Sequence, residues 1–339
     1  MNRQLLLSTL EQVRPGLAKK EIVEQSNTFL FVDGTVTTFN DEICVQAPLP
    51  EDCADLEGAV NAQELHDLLH KVDQDEIEIK SLKKELRITG KGFKSGVRRQ
   101  TVELVPQMGK PGKKKRLHKN LLDAIRACMF SVSDDASRPL LTCIHVAPDL
   151  VESCDNFRLT RFPLDTGVKK AVLIPGRYAE HLRNFPIRTL QTSEGWLHFR
   201  TRDGIVFSCR TYSEDYPDLS RLYPDKGTKV ILPKKGITDL LESASVFIDA
   251  EHRLEAAVKL TFKPGKLKIR SDGASGWFEG RYKIKYKGPE TTARLNPHML
   301  REILKHSGKA LLGEHAILFN TDTFSHVVSL FGEEDETEE

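Results

Sequence analysis

Leu6-Leu7-Ser8-Thr9-Leu10-Glu11-Gln12-Val13, Leu121-Leu122-Asp123-Ala124-Ile125-Arg126-Ala127-Cys128 and Leu240-Leu241-Glu242-Ser243-Ala244-Ser245-Val246-Phe247 carry apolar residues at the same places, the first, second, fifth and eighth. Spacings of three and four put those side chains on one stripe of a helix. The three stretches start 115 and 119 residues apart. A second set recurs between them: Val60-Asn61-Ala62-Gln63-Glu64-Leu65, Ile174-Pro175-Gly176-Arg177-Tyr178-Ala179 and Leu295-Asn296-Pro297-His298-Met299-Leu300 each lead into a short amphipathic helix. Asn61 and Asn296 are suited to cap those helices, with Pro297 at the first helical position. From first helix to second the offsets are 54, 53 and 55 residues. Three pairs holding that offset so closely indicate one unit copied three times.

Between the helices the chain has the character of strands. Thr28–Val32 and Thr35–Phe39 flank Asp33-Gly34, Val258–Phe262 and Lys266–Arg270 flank Pro264-Gly265, and Trp196–Arg200 and Ile205–Cys209 flank Asp203-Gly204. Tight turns between alternating segments make antiparallel sheet. The expected class is therefore α+β, as three tandem copies of a domain in which two helices pack on antiparallel sheets. The expected domains are 1–112, 113–228 and 229–332, with turn-rich polar junctions near Gly109-Lys110-Pro111-Gly112 and Asp225-Lys226-Gly227. Residues 333–339 form an acidic tail, expected to be solvated and disordered.

Composition agrees with a folded, soluble chain. Of 339 residues, 39% are hydrophobic and 29% charged, enough apolar material for a core. No apolar run approaches the roughly 20 residues of a membrane span. The opening Met1–Leu7 is too short for the apolar region of a signal peptide. The formal charge of +1 hides an asymmetry: without the tail, 50 Lys+Arg face 43 Asp+Glu. The body is mildly basic, which allows a polyanionic partner. Six cysteines, at 44, 53, 128, 143, 154 and 209, include no C-x-x-C and are expected to be reduced core residues of a cytosolic protein.

Phosphate-loop, dinucleotide-binding and nucleophile-elbow motifs are missing. His66-Asp67-Leu68-Leu69-His70 puts two imidazoles one turn apart, as a zinc-binding helix does. An Asp stands where the zincin pattern needs Glu, and no distal third ligand is evident. An exposed helix face carrying two histidines is the plainer expectation. Lys113-Lys114-Lys115-Arg116 is expected to be a solvated linker at the first junction, with phosphate contact as the alternative. Other basic residues sit on the repeated helices: Lys119 and Arg126, Arg177 with His181 and Arg183, and Arg301 with Lys305. The first repeat contributes the loop at Lys19-Lys20. Gathered on one surface, these cations would hold a nucleic-acid backbone without reading sequence.

At these residues the chain resembles the bacterial DNA polymerase III beta subunit, the sliding clamp. The resemblance is strongest from about 117 to 285. It rests on Phe130-Ser131-Val132-Ser133-Asp134-Asp135-Ala136-Ser137-Arg138-Pro139-Leu140-Leu141 and Cys154-Asp155-Asn156-Phe157-Arg158-Leu159. It rests also on Ile174-Pro175-Gly176 through Leu182, on Tyr216-Pro217-Asp218-Leu219-Ser220-Arg221-Leu222-Tyr223-Pro224, and on 258–262 with 265–269. The resemblance implies a ring of two chains, head to tail, encircling double-stranded DNA. It implies a non-enzymatic processivity factor that needs no cofactor and no metal and tethers a DNA polymerase, and is met by a clamp loader, through short peptides, in the bacterial or phage-infected cytoplasm and not at a membrane. DNA contacts would be Lys19, Lys20, Lys119, Arg126, Arg177, Arg183, Arg301 and Lys305. Subunits would meet near 97–105 and 244–250. The partner-peptide cleft would take Leu141, Cys154, Asn156, Phe157, Arg158, Leu159, Pro217, Arg221, Leu222, Val327 and Ser329. Asn156-Phe157 replaces the family's Gly-His and the acidic tail is an addition, so the chain reads as a diverged or phage-encoded member. A clamp-fold recruiter in transcription or repair and a metal-dependent hydrolase using His66 and His70 are the alternatives.

Overall fold

The computed structural model describes residues 1–20, 24–102, 112–249 and 254–332. The acidic tail, the Gly109–Pro111 part of the first junction, and 103–105 and 250 of the expected subunit contacts lie outside them. Along the chain the same element order appears three times. First come α1 (Arg3–Val13), β1 (Thr28–Val32), β2 (Thr35–Phe39), β3 (Ile43–Pro48), β4 (Gly58–Asn61), α2 (Ala62–Lys71), β5 (Glu78–Ser81), β6 (Glu85–Gly90) and β7 (Phe93–Gln100). Next are β8 (Lys115–Arg116), α3 (Leu121–Met129), β9 (Cys143–Val146), β10 (Leu150–Cys154), β11 (Arg158–Pro163), β12 (Val172–Pro175), α4 (Gly176–Leu182), β13 (Ile187–Ser193), β14 (Trp196–Thr201) and β15 (Val206–Arg210). Last are β16 (Thr228–Ile231), α5 (Lys234–Ala244), β17 (Val258–Lys263), β18 (Lys266–Gly273), β19 (Gly276–Lys283), β20 (Lys285–Tyr286), β21 (Thr291–Leu295), α6 (Pro297–Leu304), β22 (Lys309–Leu312), β23 (Ala316–Asn320) and β24 (Ser325–Ser329).

Local chemistry explains why these elements form. Asn61 caps α2 by accepting from the Glu64 amide, and Asn296 caps α6 by accepting from His298 and Met299, with Pro297 opening the helix. In α1, Leu6, Leu7, Leu10 and Val13 are the buried stripe. The β1–β2 hairpin turns through Asp33 and Gly34 at φ 46° and 67°, the two left-handed positions of a type I′ turn. α5 is not regular throughout: Gly236 at φ 88° kinks its first turn.

By packing, the chain falls into two units, Met1–Leu122 with Thr166–Ser213, and Asp123–Asp165 with Glu214–Glu339. In the first unit one antiparallel sheet runs β5-β6-β7-β4-β1-β2-β3-β15-β14-β13-β8, with α1 and α2 packed on each other and on the β-strands of the first copy. In the second, a sheet runs from β9 through β10, β11, β24, β23, β22 and β16 to β20, and a separate sheet runs β19-β18-β17-β21 under α5 and α6.

One rule governs where copies meet. The third strand after the first helix of a copy pairs with the last strand of the next: β3 with β15, over Ile43–Gln46 and Val206–Cys209, and β11 with β24, over Arg158–Arg161 and Ser325–Val328. Two strands are left over. Among the described residues β19, third after α5 in the last copy, pairs only with β18, and β7, last in the first copy, has one edge open along 93–98.

All six cysteines are buried and none is in a disulfide, as the sequence pattern led one to expect. The Lys113–Arg116 linker expectation is corrected: Lys115 and Arg116 are β8, paired with β13. The exposed pair of histidines is corrected too. His66 is buried and bonds Glu11 of α1 through Nε2, leaving only His70 exposed. Among the described residues no group of three or more His, Cys, Asp or Glu is placed to hold a metal. Among the described residues no helix is long and apolar enough to cross a membrane.

Candidate nucleic-acid interface and peptide cleft

The helices present the expected cations in two states. The arginines are engaged by acids. Arg126 pairs with Asp123 at 3.2 Å, and Arg183 with Glu180 at 3.7 Å. Arg177 pairs with Glu42 at 2.6 Å and donates to the Tyr178 hydroxyl at 2.8 Å while lying over that ring. Arg301 of α6 is bound by Glu242 of α5, and its Nε is buried without a partner. The lysines differ: Lys19, Lys20, Lys119 and Lys305 are exposed. No ion pair involves them among the described residues. Exposed pairs are weak in water, so the exposed arginines Arg126, Arg177 and Arg183 can exchange these acids for a stronger anion.

α5 and α6 enclose a shallow groove of about 310 Å³, lined by Lys234, Thr238, His298 and Lys305 around the Arg301–Glu242 pair. Lys234, at the exposed start of α5, carries no mark in the sequence because it precedes the periodic stretch. A hairpin or helix pattern marks a core face and says little about which surface cations converge.

The second candidate site is apolar. Cys154, Leu159, Leu219, Ala316 and Val327 form one buried cluster, with Leu141, Tyr216, Tyr223 and Leu318 half-buried against it. The β11–β24 pairing sets it up, placing Leu159 opposite Val327. Burial pushes the Cys154 thiol up to about 11, so it remains a neutral, apolar group at ordinary pH. The Cys154 amide donates to the Tyr216 hydroxyl at 3.1 Å, and the Tyr216 ring stacks on His145. Tyr223 and Ser325 share a hydrogen bond at 3.1 Å. At the margin, Leu222 is 52% exposed. Asn156, Pro217, Arg221 and Ser329 are exposed around it.

Thus Leu141, Cys154, Leu159 and Val327 come together, and Leu219, Tyr216, Tyr223, Ala316 and Leu318 join them. Leu219 and the two tyrosines lie in the 216–224 stretch, where no spacing sets them apart from their neighbours. Ala316 and Leu318 lie on a strand with no distinguishing signature. Arg158 and Phe157 are not part of this buried cluster. Successive strand residues face opposite ways, so with Leu159 in the cluster Arg158 points to the other side. There it bonds Asp155 at 2.9 Å and Glu302 of α6, and lies over Phe130. Burial raises the Asp155 carboxyl despite the opposing pull of Arg158. Phe157 packs on Phe331 instead, with ring centroids 5.8 Å apart. Asn156 accepts from Arg138 at 2.5 Å.

No protein-family model and no curated protein matches the sequence. Solved structures do. The DNA polymerase III beta subunit of Pseudomonas aeruginosa superposes with a TM-score of 0.87 at 17% identity, covering 98% of this chain and 99% of that one. The DNA polymerase sliding clamp of Bacillus subtilis gives 0.85 at 17%, covering 98% of each. The beta subunit of Thermotoga maritima gives 0.84 at 15%, covering 98% and 99%. The fold is that of these bacterial clamps, over essentially the whole chain.

Proposed function

We propose that this chain is a DNA sliding clamp: a non-catalytic ring that encloses duplex DNA and tethers a polymerase through a peptide cleft. The observation that carries the proposal is the pair of unsatisfied strand edges. Within the chain, β3·β15 and β11·β24 join each copy to the next. A second copy placed head to tail offers its β7 to β19, and its β19 to β7, so the same junction is made twice more. A repeated heterologous contact closes into a ring when its rotation permits. Long exposed edges otherwise invite aggregation. Apolar exposure beside one of them fits an interface: Trp277 on β19 is 62% exposed and Val246, just after α5, 72%.

Each chain contributes three domains, 1–112, 113–228 and 229–332, so the ring holds six. The DNA contacts are chiefly lysines, Lys19, Lys20, Lys119, Lys234 and Lys305, with the engaged arginines Arg126, Arg177, Arg183 and Arg301 supplying background charge. Such contacts neutralise phosphates without reading bases and so permit sliding. The cluster around Leu159 and Val327, edged by the exposed Leu222, accepts one or two apolar side chains of a partner peptide. Polymerase and clamp loader are the expected partners, in the cytoplasm of a bacterium or of a phage-infected cell. A recruiter in transcription or repair would use the same cleft.

Topology provides the test. Chain closed around a circular plasmid stays bound through gel filtration and leaves when the plasmid is cut once. Equal retention on circular and linear DNA would mean surface binding and would sink the ring.

A further inference from the structure

The run Lys113-Lys114-Lys115-Arg116 is held in place on every side that the fold offers. Its flanks are fixed by backbone hydrogen bonds: the Gly112 amide donates to Thr192 at 2.9 Å and the Leu117 amide to Arg188 at 3.0 Å. Gln191 adds a side-chain bond to the Gly112 carbonyl at 2.7 Å. Between them, Lys115 and Arg116 form β8, the last strand of the sheet, in register with Leu190 and Thr189. Leu190 is buried, so Lys115 lies on the core side of the strand, and Lys114 and Arg116 lie on the other.

A second basic segment is docked against this strand. His118 donates its amide to Thr166 at 3.3 Å, and Thr166 and Val168 are buried anchors. Gly167 adopts φ 80°, and a Cβ there would come within 2.4 Å of the Arg116 carbonyl oxygen. Only glycine permits that approach. The next exposed residues are Lys169 and Lys170. A register shift between Ile187 and Thr189 puts the exposed Arg188 at a bulge, where its carbonyl accepts from the Leu117 amide. Six exposed cations therefore share one rigid edge, and none has an acid partner among the described residues. Like charges so placed repel one another, and a bound polyanion would relieve that repulsion.

We infer that this edge is a second DNA-binding site, apart from the helices, which grips the phosphodiester backbone of duplex DNA without regard to sequence. The surface selects for nucleic acid over an acidic protein because it lacks an anchor. Protein interfaces centre on buried aromatic or aliphatic side chains, and none of the exposed large apolar residues, Leu5, Leu222, Ile231, Val246 and Trp277, lies on this edge. What it offers is cationic side chains, unpaired among the described residues, on a backbone held in place, which suits phosphate contact. The inference does not depend on ring closure, since it concerns contact with DNA from one side.

The experiment measures binding of the full chain to a short linear duplex by fluorescence anisotropy across a salt series. Two variants are compared with the parent, Lys113→Gln/Lys114→Gln/Arg116→Gln and Lys169→Gln/Lys170→Gln. The second leaves β8 untouched, so misfolding of the strand cannot explain its result. Each variant should weaken binding by on the order of tenfold at low salt, and the salt slope should become shallower by about 1 for every phosphate no longer neutralised. Affinity and slope unchanged in both variants would overturn the proposal. So would polyglutamate displacing the duplex from the parent at lower charge concentration than unlabelled duplex does, because an acidic protein would then be the better ligand. Failure of the clamp reading looks different: short-duplex binding persists while retention on circles does not.

Discussion

α2 and α6 are the same helix written twice, 235 positions apart. Asn61 and Asn296 cap them in the same way. Leu65 and Leu69 in one, and Leu300 and Leu304 in the other, are buried on the same stripe. The two polar positions that follow this alignment are His66 and His70 in α2, and Arg301 and Lys305 in α6. In both helices the first of them reaches an acid on the preceding helix, His66 to Glu11 and Arg301 to Glu242, while the second stays exposed. The histidine pair that resembled a zinc site is thus the counterpart of a cation pair. The packing has been kept and the permanent charge has not. A histidine's charge depends on pH through the physiological range, whereas arginine and lysine hold theirs.

Under the proposed function this contrast would make the third copy the stronger holder of DNA. Lys234→Glu with Lys305→Glu should lower DNA affinity at least about tenfold at low salt and flatten its salt dependence. Within the aligned helices the matched single changes are Lys305→Glu and His70→Glu, and His70→Glu should do much less than Lys305→Glu; equal losses would break the comparison. A smaller effect is expected in the opposite direction. His66→Arg with His70→Lys gives α2 the cations of α6, and the salt slope should steepen by about 1 for the new phosphate contact. An unchanged slope would show that α2 does not face DNA.

The smallest expected effect concerns acid stability. Partial burial works to raise the Glu11 carboxyl, but hydrogen bonds from His66 and Arg14 outweigh it and hold the group below its ordinary 4.5. A depressed carboxylate contributes stability above its unfolded value and loses it as pH falls through the folded one. Glu11→Gln should therefore lower the thermal midpoint slightly at neutral pH. The difference from the parent should vanish well below pH 4.5. A gap that persists in acid would assign the effect to packing instead of charge.

Much of the fold was legible because it is written in local chemistry. Asn caps, the Asp33-Gly34 turn and a stripe of leucines each dictate a conformation within a few residues. The apolar floor of the cleft was legible in part, since Leu141, Cys154, Leu159 and Val327 lie in recognisable phrases. Features that depend on partners distant in the chain were not. The side to which Arg158 points follows from strand register with β24, and the absorption of Lys115 and Arg116 into a sheet follows from pairing with Leu190 and Thr189, far along the chain. The binding of Arg301 by Glu242 needs two helices side by side. Periodicity finds each element and leaves open what faces it.

Everything rests on the two open strand edges finding each other in a second copy. The most direct measurement is the solution mass by light scattering at micromolar concentration, for the parent and for Val246→Lys/Trp277→Lys, whose substitutions lie at exposed positions. The parent should show twice the chain mass of 38.3 kDa and the variant a single chain with its fold intact. A parent that stays a single chain, or a variant that dimerises as before, would contradict the account.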